Sequence, residues 1–115
     1  MGMRQGKNWG YTTDFFRSAI FSAHHFEIEK GGYCSEHCHK YKYNLFYVIS
    51  GVLELTIWRK GKTKDVTKVT AGQTTAVSPG FWHQFRAITP VQCIEICQVL
   101  LNEPDIKRRT EGGIK

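Results

Sequence analysis

The chain has 115 residues, of which 41% are hydrophobic and 13% aromatic, and its formal net charge is +6. This length and composition predict a single globular domain over residues 1–115 and exclude a disulfide-dependent miniprotein, because a chain of this size buries about two-thirds of its unfolded surface. No apolar run reaches the roughly 18 residues of a membrane span, and the first ten residues hold no apolar signal core. We therefore expect a cytoplasmic protein that does not enter a membrane.

The basic side chains concentrate in a turn at residues 59–62 and in a tail at residues 107–109. Neither segment forms a basic helix or an RNA-binding motif, so we expect solvated surface and no nucleic-acid partner. Lys107, Arg108 and Arg109 are predicted to belong to a mobile tail. An open alternative is that part of this charge attracts an anionic small molecule such as a sugar phosphate.

In chain order, the sequence predicts an arm, a series of short strands and a tail. Residues 1–13 are polar and predict a loosely held arm that docks through Trp9, and residues 102–115 predict a charged tail. Segments rich in aromatic and β-branched residues predict strands at 15–28, 33–39, 44–50, 52–58, 64–69, 74–77, 82–88 and 91–101. Short strands with turn signals at intervals of roughly 8–12 residues predict an all-β sandwich or barrel.

Two histidines two residues apart lie in the second predicted strand. His37 and His39 point to the same face of a strand, because side chains alternate with a period of two. His83, after the turn at residues 78–80, offers a third imidazole. Three histidines at this spacing predict a metal site, because neutral imidazole is a common ligand of zinc and iron.

The same alternation predicts which side chains line a pocket. If Asn44 faces the histidines, Phe46 and Val48 share its face, and Phe81 and Phe85 share the face of His83. These four apolar side chains are predicted to line a small-molecule pocket with the imidazoles at one end.

The opposite face of the 44–50 strand carries Leu45, Tyr47 and Ile49. A face this apolar is expected to be covered by another strand, by the arm or by a second subunit. On this ground we predict a homodimer.

Two motifs resemble those of a known family. The spacing Gly31-x5-His37-x-His39-x4-Asn44-x6-Gly51 resembles the first cupin motif, G-x5-H-x-H-x(3,4)-E-x6-G. The spacing Gly72-x6-Pro79-Gly80-x2-His83 resembles the second, with Gly80 shifted by one and Ala87 at the last position. The resemblance implies a cupin-type double-stranded β-helix, also called a jelly-roll barrel.

A finer resemblance points to the cupin domain of type II mannose-6-phosphate isomerases. The segments at residues 94–98 and 103–108 resemble that family's E-V-Q strand and its acidic D-I-x-R tail, and Trp9-Gly10 resembles its P-W-G start. This implies a divalent metal, namely zinc, iron, manganese or nickel, and a sugar or sugar phosphate as ligand. The family's metal-binding glutamate falls on Asn44, which makes Asn44 the fourth candidate ligand and removes one negative charge.

No catalytic base is evident in the sequence. On the last strand, the simplest interpretation places Ile94 and Ile96 in the core and Glu95 outside. Three functions therefore remain open: a metal-dependent isomerase-like enzyme, a three-histidine iron-dependent dioxygenase, and a non-catalytic ligand-binding cupin. The spacing of Cys34, Cys38, Cys93 and Cys97 does not fit a zinc knuckle and predicts free thiols.

Overall fold

The computed structural model describes residues 2–59, 63–98 and 106–114. Throughout these ranges the regular elements are strands: Arg4–Lys7 (β1), Gly10–Arg17 (β2), Phe21–Ile28 (β3), Gly32–Tyr33 (β4), His37–Cys38 (β5), Tyr43–Ser50 (β6), Leu53–Trp58 (β7), Lys64–Val69 (β8), Thr74–Val77 (β9), Trp82–Ala87 (β10), Val91–Gln98 (β11), Lys107–Arg108 (β12) and Gly113–Ile114 (β13). The predicted all-β class is confirmed. None of the described residues forms a helix that is long and apolar enough to cross a membrane.

The strands form two antiparallel sheets. The first sheet has the order β1-β2-β3-β11-β6-β9. The second is centred on β10, which pairs with β7 along one edge and with the short strands β4 and β5 along the other. Strand β8 extends the sheet beyond β7, while β12 and β13 extend it beyond β5 and β4.

The core lies between the two sheets and follows the predicted alternation. Along β7, Leu53, Leu55 and Ile57 are buried while the residues between them are partly exposed. Strand β6 buries Phe46 and Val48 from the opposite sheet. Residues that alternate in this way present one apolar face to the core, which is the pattern expected of a two-sheet sandwich.

Two predicted strands are interrupted in the structure. The 15–28 segment is split into β2 and β3 by a tight turn, in which the amide of Ser18 donates to the carbonyl of Phe21 (2.7 Å). The 33–39 segment is split into β4 and β5, and between them the Cys34 thiol accepts a hydrogen bond from the Phe85 amide (3.2 Å). Strong β propensity therefore located both segments but not the turns within them.

The two ends of the chain are ordered parts of the sheets, which corrects the predicted loose arm and mobile tail. Strands β1 and β2 form a hairpin that extends the first sheet, and Trp9 between them is buried, as predicted. Strand β12 pairs Arg108 with His37, and Arg109 forms an ion pair with Glu36 (2.9 Å). Backbone pairing fixes these polar segments at sheet edges, where an unpaired strand would expose its hydrogen-bonding groups.

Gly51 makes the connection between β6 and β7 possible. Its φ angle is +88°, and a Cβ atom there would lie 2.0 Å from the carbonyl oxygen of Pro90. Only glycine accommodates both the left-handed backbone and this close approach.

Some predicted segments fall outside the described residues. They are positions 60–62 of the predicted turn, the last residues of the predicted 91–101 strand, and the predicted end of the domain body at residues 102–104.

Candidate metal centre

The fold brings His37, His39 and His83 together between the sheets. His37 and His83 are direct cross-strand partners on β5 and β10, and their ring centroids lie 4.4 Å apart. His39 joins them with centroid distances of 5.0 Å to His37 and 5.6 Å to His83. One nitrogen from each ring lies within 4.8 Å of the other two, and all three side chains are buried.

Two of the three rings are held by backbone carbonyls. His37 Nδ1 lies 2.7 Å from the Ser35 carbonyl oxygen, and His83 Nδ1 lies 3.0 Å from the Phe81 carbonyl oxygen. A carbonyl oxygen only accepts, so each Nδ1 carries the proton and each Nε2 keeps its lone pair. This is the arrangement that orients histidine for ligation through Nε2.

His37 and His83 are electrically neutral at pH 7, because their pKa values lie well below it. Burial, followed by the neighbouring His83 and His39, lowers the pKa of His37 to about 3. Burial also lowers the pKa of His83 to about 4, and the hydrogen bond to Phe81 opposes this shift only in part. Neutral imidazole is the form that binds a metal ion.

These shifts predict that the metal-free protein loses stability in mild acid. Unfolding returns both histidines to an ordinary pKa of 6.5, so between that pH and about 4 the unfolded chain binds more protons than the folded chain. This stabilisation is therefore complete above pH 6.5 and is lost as the pH falls towards 4 and then 3. Denaturant unfolding of metal-free protein at several pH values should show a shallower fall for His83→Leu than for the native sequence, and equal slopes would contradict the assignment.

Asn44 is buried next to an unexpected carboxylate. Its Nδ2 donates to Glu95 Oε2 at 2.7 Å, and its Oδ1 has no hydrogen-bond partner among the described residues. The two residues are diagonal neighbours on the inward face, because Asn44 pairs with Cys97 and Phe46 pairs with Glu95.

The inward position of Glu95 corrects the predicted orientation of the last strand. Cys93 and Cys97, on the same face as Glu95, are buried, whereas Glu95, Ile94 and Ile96 are each partly buried. Strand β11 lies between β3 and β6, and its register pairs Glu95 with the inward-facing residues His24 on β3 and Phe46 on β6. The isoleucines point outward, where Ile94 pairs with Tyr47.

A second polar cluster lies beside Glu95. His24 Nδ1 is hydrogen-bonded to Asp14 Oδ1, and His24 Nε2 lies 3.0 Å from Ser22 Oγ. Ligand atoms of His24, Glu95 and Cys97 also lie within 4.8 Å of one another. Both ring nitrogens of His24 already have partners, so this cluster is a satisfied hydrogen-bond network, as expected for a strand histidine.

The four cysteines are free, as predicted, and burial raises the pKa of the Cys97 thiol.

A cavity of about 620 Å³ opens onto His37, His39 and Glu95. Phe46 and Phe85 line it, as the alternation predicted. Val48 and Phe81 are not among the described residues that line this cavity. Val48 is buried in the hydrophobic core, and Phe81 is partly buried and packs against that core. The predicted mainly apolar wall is also wrong, because the lining includes the charged residues Lys7, Asp14, Lys42, Glu95, Arg108 and Glu111.

The C-terminal segment contributes directly to this cavity. Arg108 lines it and donates from Nη1 to Ser35 Oγ, and that hydroxyl lies 3.1 Å from His37 Nδ1. Arg109 instead packs its guanidinium over Trp82 and Trp58 on the outer side of the sheet. The sequence pattern treated the two arginines alike, because side-chain direction depends on how β12 pairs with β5.

Comparison with known proteins identifies the family. A family model described as a cupin domain matches residues 24–97. This chain belongs to the cupin family. Its two antiparallel sheets form the cupin jelly roll, which confirms the predicted fold class. No curated protein matched the chain.

Several solved structures share the fold of this cupin. Oxalate decarboxylase from Bacillus subtilis, at pH 4.6, is 16% identical with a TM-score of 0.82, and the alignment covers 93% of this chain and 30% of that one. Another structure of that enzyme, determined for the study of its Mn(II) centres, is 16% identical with a TM-score of 0.80, covering 92% and 30%. This cupin therefore spans under a third of those chains, and the likeness concerns the fold.

The donor set of this cupin fits a divalent metal ion. His83 Nε2 and Asn44 Oδ1 are buried side-chain atoms without a hydrogen-bond partner in the described part of the chain, although leaving such an atom unpaired costs about 1–3 kcal/mol. A bound ion would satisfy both, because imidazole nitrogen and amide oxygen are ordinary ligands of first-row divalent metals.

Proposed function

We propose that this cupin holds a divalent metal ion through His37, His39, His83 and Asn44. The ion would polarise a carbonyl or hydroxyl oxygen of a small ligand as a Lewis acid. Because the fold is shared with a manganese-containing oxalate decarboxylase, manganese is the first metal to test, followed by iron, zinc and nickel.

We propose a sugar-phosphate isomerase-like activity, which rests chiefly on the inward carboxylate of Glu95. Moving a proton between adjacent carbons requires a base, and Glu95 brings a carboxylate into the cavity that His37 and His39 also line. The hydrogen bond from Asn44 holds this carboxylate in place. His24, oriented by Asp14, lies beside it and offers a second group able to carry a proton.

The cavity lining favours a ligand with hydroxyl groups and one acidic group. Lys7, Lys42 and Arg108 bring positive charge, whereas Glu95, Asp14 and Glu111 offer hydrogen-bond acceptors. A phosphate or carboxylate fits the former, and sugar hydroxyls fit both kinds of group. This mixture suits a sugar phosphate better than an apolar substrate.

The activity is tested with manganese-loaded protein and mannose 6-phosphate. We expect conversion to fructose 6-phosphate in a coupled assay. At Mn²⁺ concentrations that saturate the variant, Glu95→Gln should lose turnover by at least about 100-fold, because general base catalysis contributes about that much. Arg108→Ala should raise KM more than it lowers kcat. Binding without turnover would leave a ligand-binding cupin, and neither binding nor turnover with sugar phosphates would contradict the ligand class.

The second candidate is a three-histidine iron-dependent dioxygenase. It is favoured by the close group of His37, His39 and His83, which includes no carboxylate from the described residues. Three imidazoles leave coordination positions open for substrate and oxygen. Oxygen uptake by the iron-loaded protein with diketones or thiols, together with no isomerase activity, would favour this candidate.

We also propose a homodimer formed through the outer face of the first sheet. Tyr43, Tyr47 and Ile49 are exposed there, and the outward Ile94 and Ile96 continue the apolar surface on β11. The opposite sheet differs, because β8 is almost wholly exposed and carries Lys64, Asp65 and Lys68. Among the described residues the first sheet has the more apolar outer face, which fits a self-complementary interface.

The dimer predicts a specific effect of charge on this face. Light scattering should give the native protein about twice the mass of its 13.2 kDa chain. Tyr47→Glu should convert the dimer to a monomer, because burying an unpaired carboxylate in the interface is costly. Val66→Glu, at an exposed position on β8, is the matched control and should remain dimeric. A native protein that is monomeric at micromolar concentration would contradict the interface.

We propose the cytoplasm as the location of this cupin. All four cysteines are free, and Cys34, Cys93 and Cys97 are buried as thiols. Reduced thiols are typical of a cytosolic compartment.

A further inference from the structure

The polar atoms around Asn44 show an asymmetry. Its Nδ2 donates to Glu95 Oε2, whereas its Oδ1 is buried without a partner among the residues that the structure describes. An ionised carboxylate only accepts hydrogen bonds, so it fixes which end of the amide faces it. If the amide were reversed, Asn44 Oδ1 would face Glu95 Oε2 with no hydrogen between the two oxygens.

We propose that Glu95 is a positioning residue of the metal centre, which turns the Asn44 amide so that Oδ1 is presented as a metal ligand. The inference rests on the proposed metal centre and deepens it. Where the cupin motif has a glutamate ligand, this chain has Asn44, so β6 supplies one negative charge fewer to the site. The Glu95 carboxylate on β11 is hydrogen-bonded to Asn44 and places one negative charge next to it.

The strand register explains how Glu95 on β11 reaches Asn44 on β6. Asn44 and Glu95 are diagonal neighbours on the inward faces of β6 and β11, a separation that a glutamate side chain spans. Outer-layer hydrogen bonds of this kind orient ligands and are typically worth about 10–100-fold in metal affinity. Glu95 therefore contributes to metal affinity without being a ligand itself.

The test compares Mn²⁺ dissociation constants, measured by competition with a chromophoric chelator, for the native protein, Glu95→Gln, Asn44→Asp and the double variant. Glu95→Gln should weaken binding by about 10–100-fold, because glutamine can donate to Oδ1 and occupy the ligand atom. The double variant should regain native affinity or exceed it. In that variant the Asn44→Asp change gives the ion a charged ligand oxygen, and the amide introduced by Glu95→Gln donates to the second oxygen of the new carboxylate.

Glu54→Gln removes the same charge from the outward face of β7 and should leave the affinity unchanged. Thermal unfolding of each metal-free variant checks that the fold is intact, and the double variant gives an independent result if one single variant is unstable. Equal affinity of Glu95→Gln and the native protein, or a double variant as weak as Glu95→Gln, overturns this inference alone. A native protein that binds no metal overturns the metal centre together with it.

Discussion

Replacing His83 with alanine is expected to abolish stable metal binding. His83 is 1% exposed, its Nδ1 is held by the Phe81 carbonyl, and its Nε2 has no partner within the described part of the chain. Since the loss of an outer-layer hydrogen bond already costs about 10–100-fold in affinity, the loss of a direct ligand should cost at least about 100-fold. Dialysis of manganese-loaded protein followed by elemental analysis measures the effect.

His25→Ala is the matched control for this variant. His25 is a strand histidine that contacts Gln92 on β11 (3.3 Å), and it belongs to neither cluster of candidate ligands among the described residues. Its removal should leave the metal content unchanged. If His83→Ala retained as much metal as His25→Ala, His83 would not be a ligand.

Replacing Trp9 with alanine is expected to lower the free energy of unfolding by about 3–5 kcal/mol, the usual cost of truncating a buried tryptophan. Trp9 is buried, and its ring centroid lies 4.9 Å from that of Phe26 and 5.1 Å from that of Phe85. It thus joins the N-terminal hairpin to both sheets. Equilibrium denaturation in urea measures the change.

Tyr11→Ala provides the comparison, because Tyr11 is 40% exposed on the same hairpin and stacks mainly with Arg4. We expect a change well below that of Trp9→Ala. A loss of no more than about 0.5 kcal/mol for Trp9→Ala, the range of surface substitutions, would mean that the hairpin docks loosely.

Alternation and spacing were sufficient to predict most of the barrel. The pattern of Leu53, Leu55 and Ile57 gave both a strand and its buried face, and β8 and β9 have their predicted bounds. These strands have one apolar and one polar face, so the period of two is unambiguous. The convergence of His37 and His83 required the motif spacing in addition, because their strands are distant in sequence.

Glu95 was missed because its strand has no clear polar face. Along β11, isoleucines alternate with cysteines and a glutamate, and hydrophobicity alone places the isoleucines inside. The partners of this strand decide otherwise: Phe46 and His24 are inward-facing, and both pair with Glu95. The parity of β6, which was predicted correctly, would have indicated this orientation had the pairing of β11 with β6 been known.

The ends of the chain show a second limit of local sequence patterns. Residues around β1 and β12 are polar, and their strands form through backbone pairing with β2 and β5 rather than through apolar side chains. Such edge strands leave little signal in composition. Arg108 consequently reaches the cavity from a segment that its charge alone assigned to solvent.

Metal analysis of the native protein tests most directly whether His37, His39, His83 and Asn44 hold a divalent ion. The protein should be purified without chelators or added metal, then analysed by mass spectrometry for manganese, iron, zinc and nickel. We expect about one ion per chain in total, and we expect an apo sample to take up one equivalent of Mn²⁺. Negligible metal in both experiments would contradict the metal centre and the two enzymatic functions that depend on it.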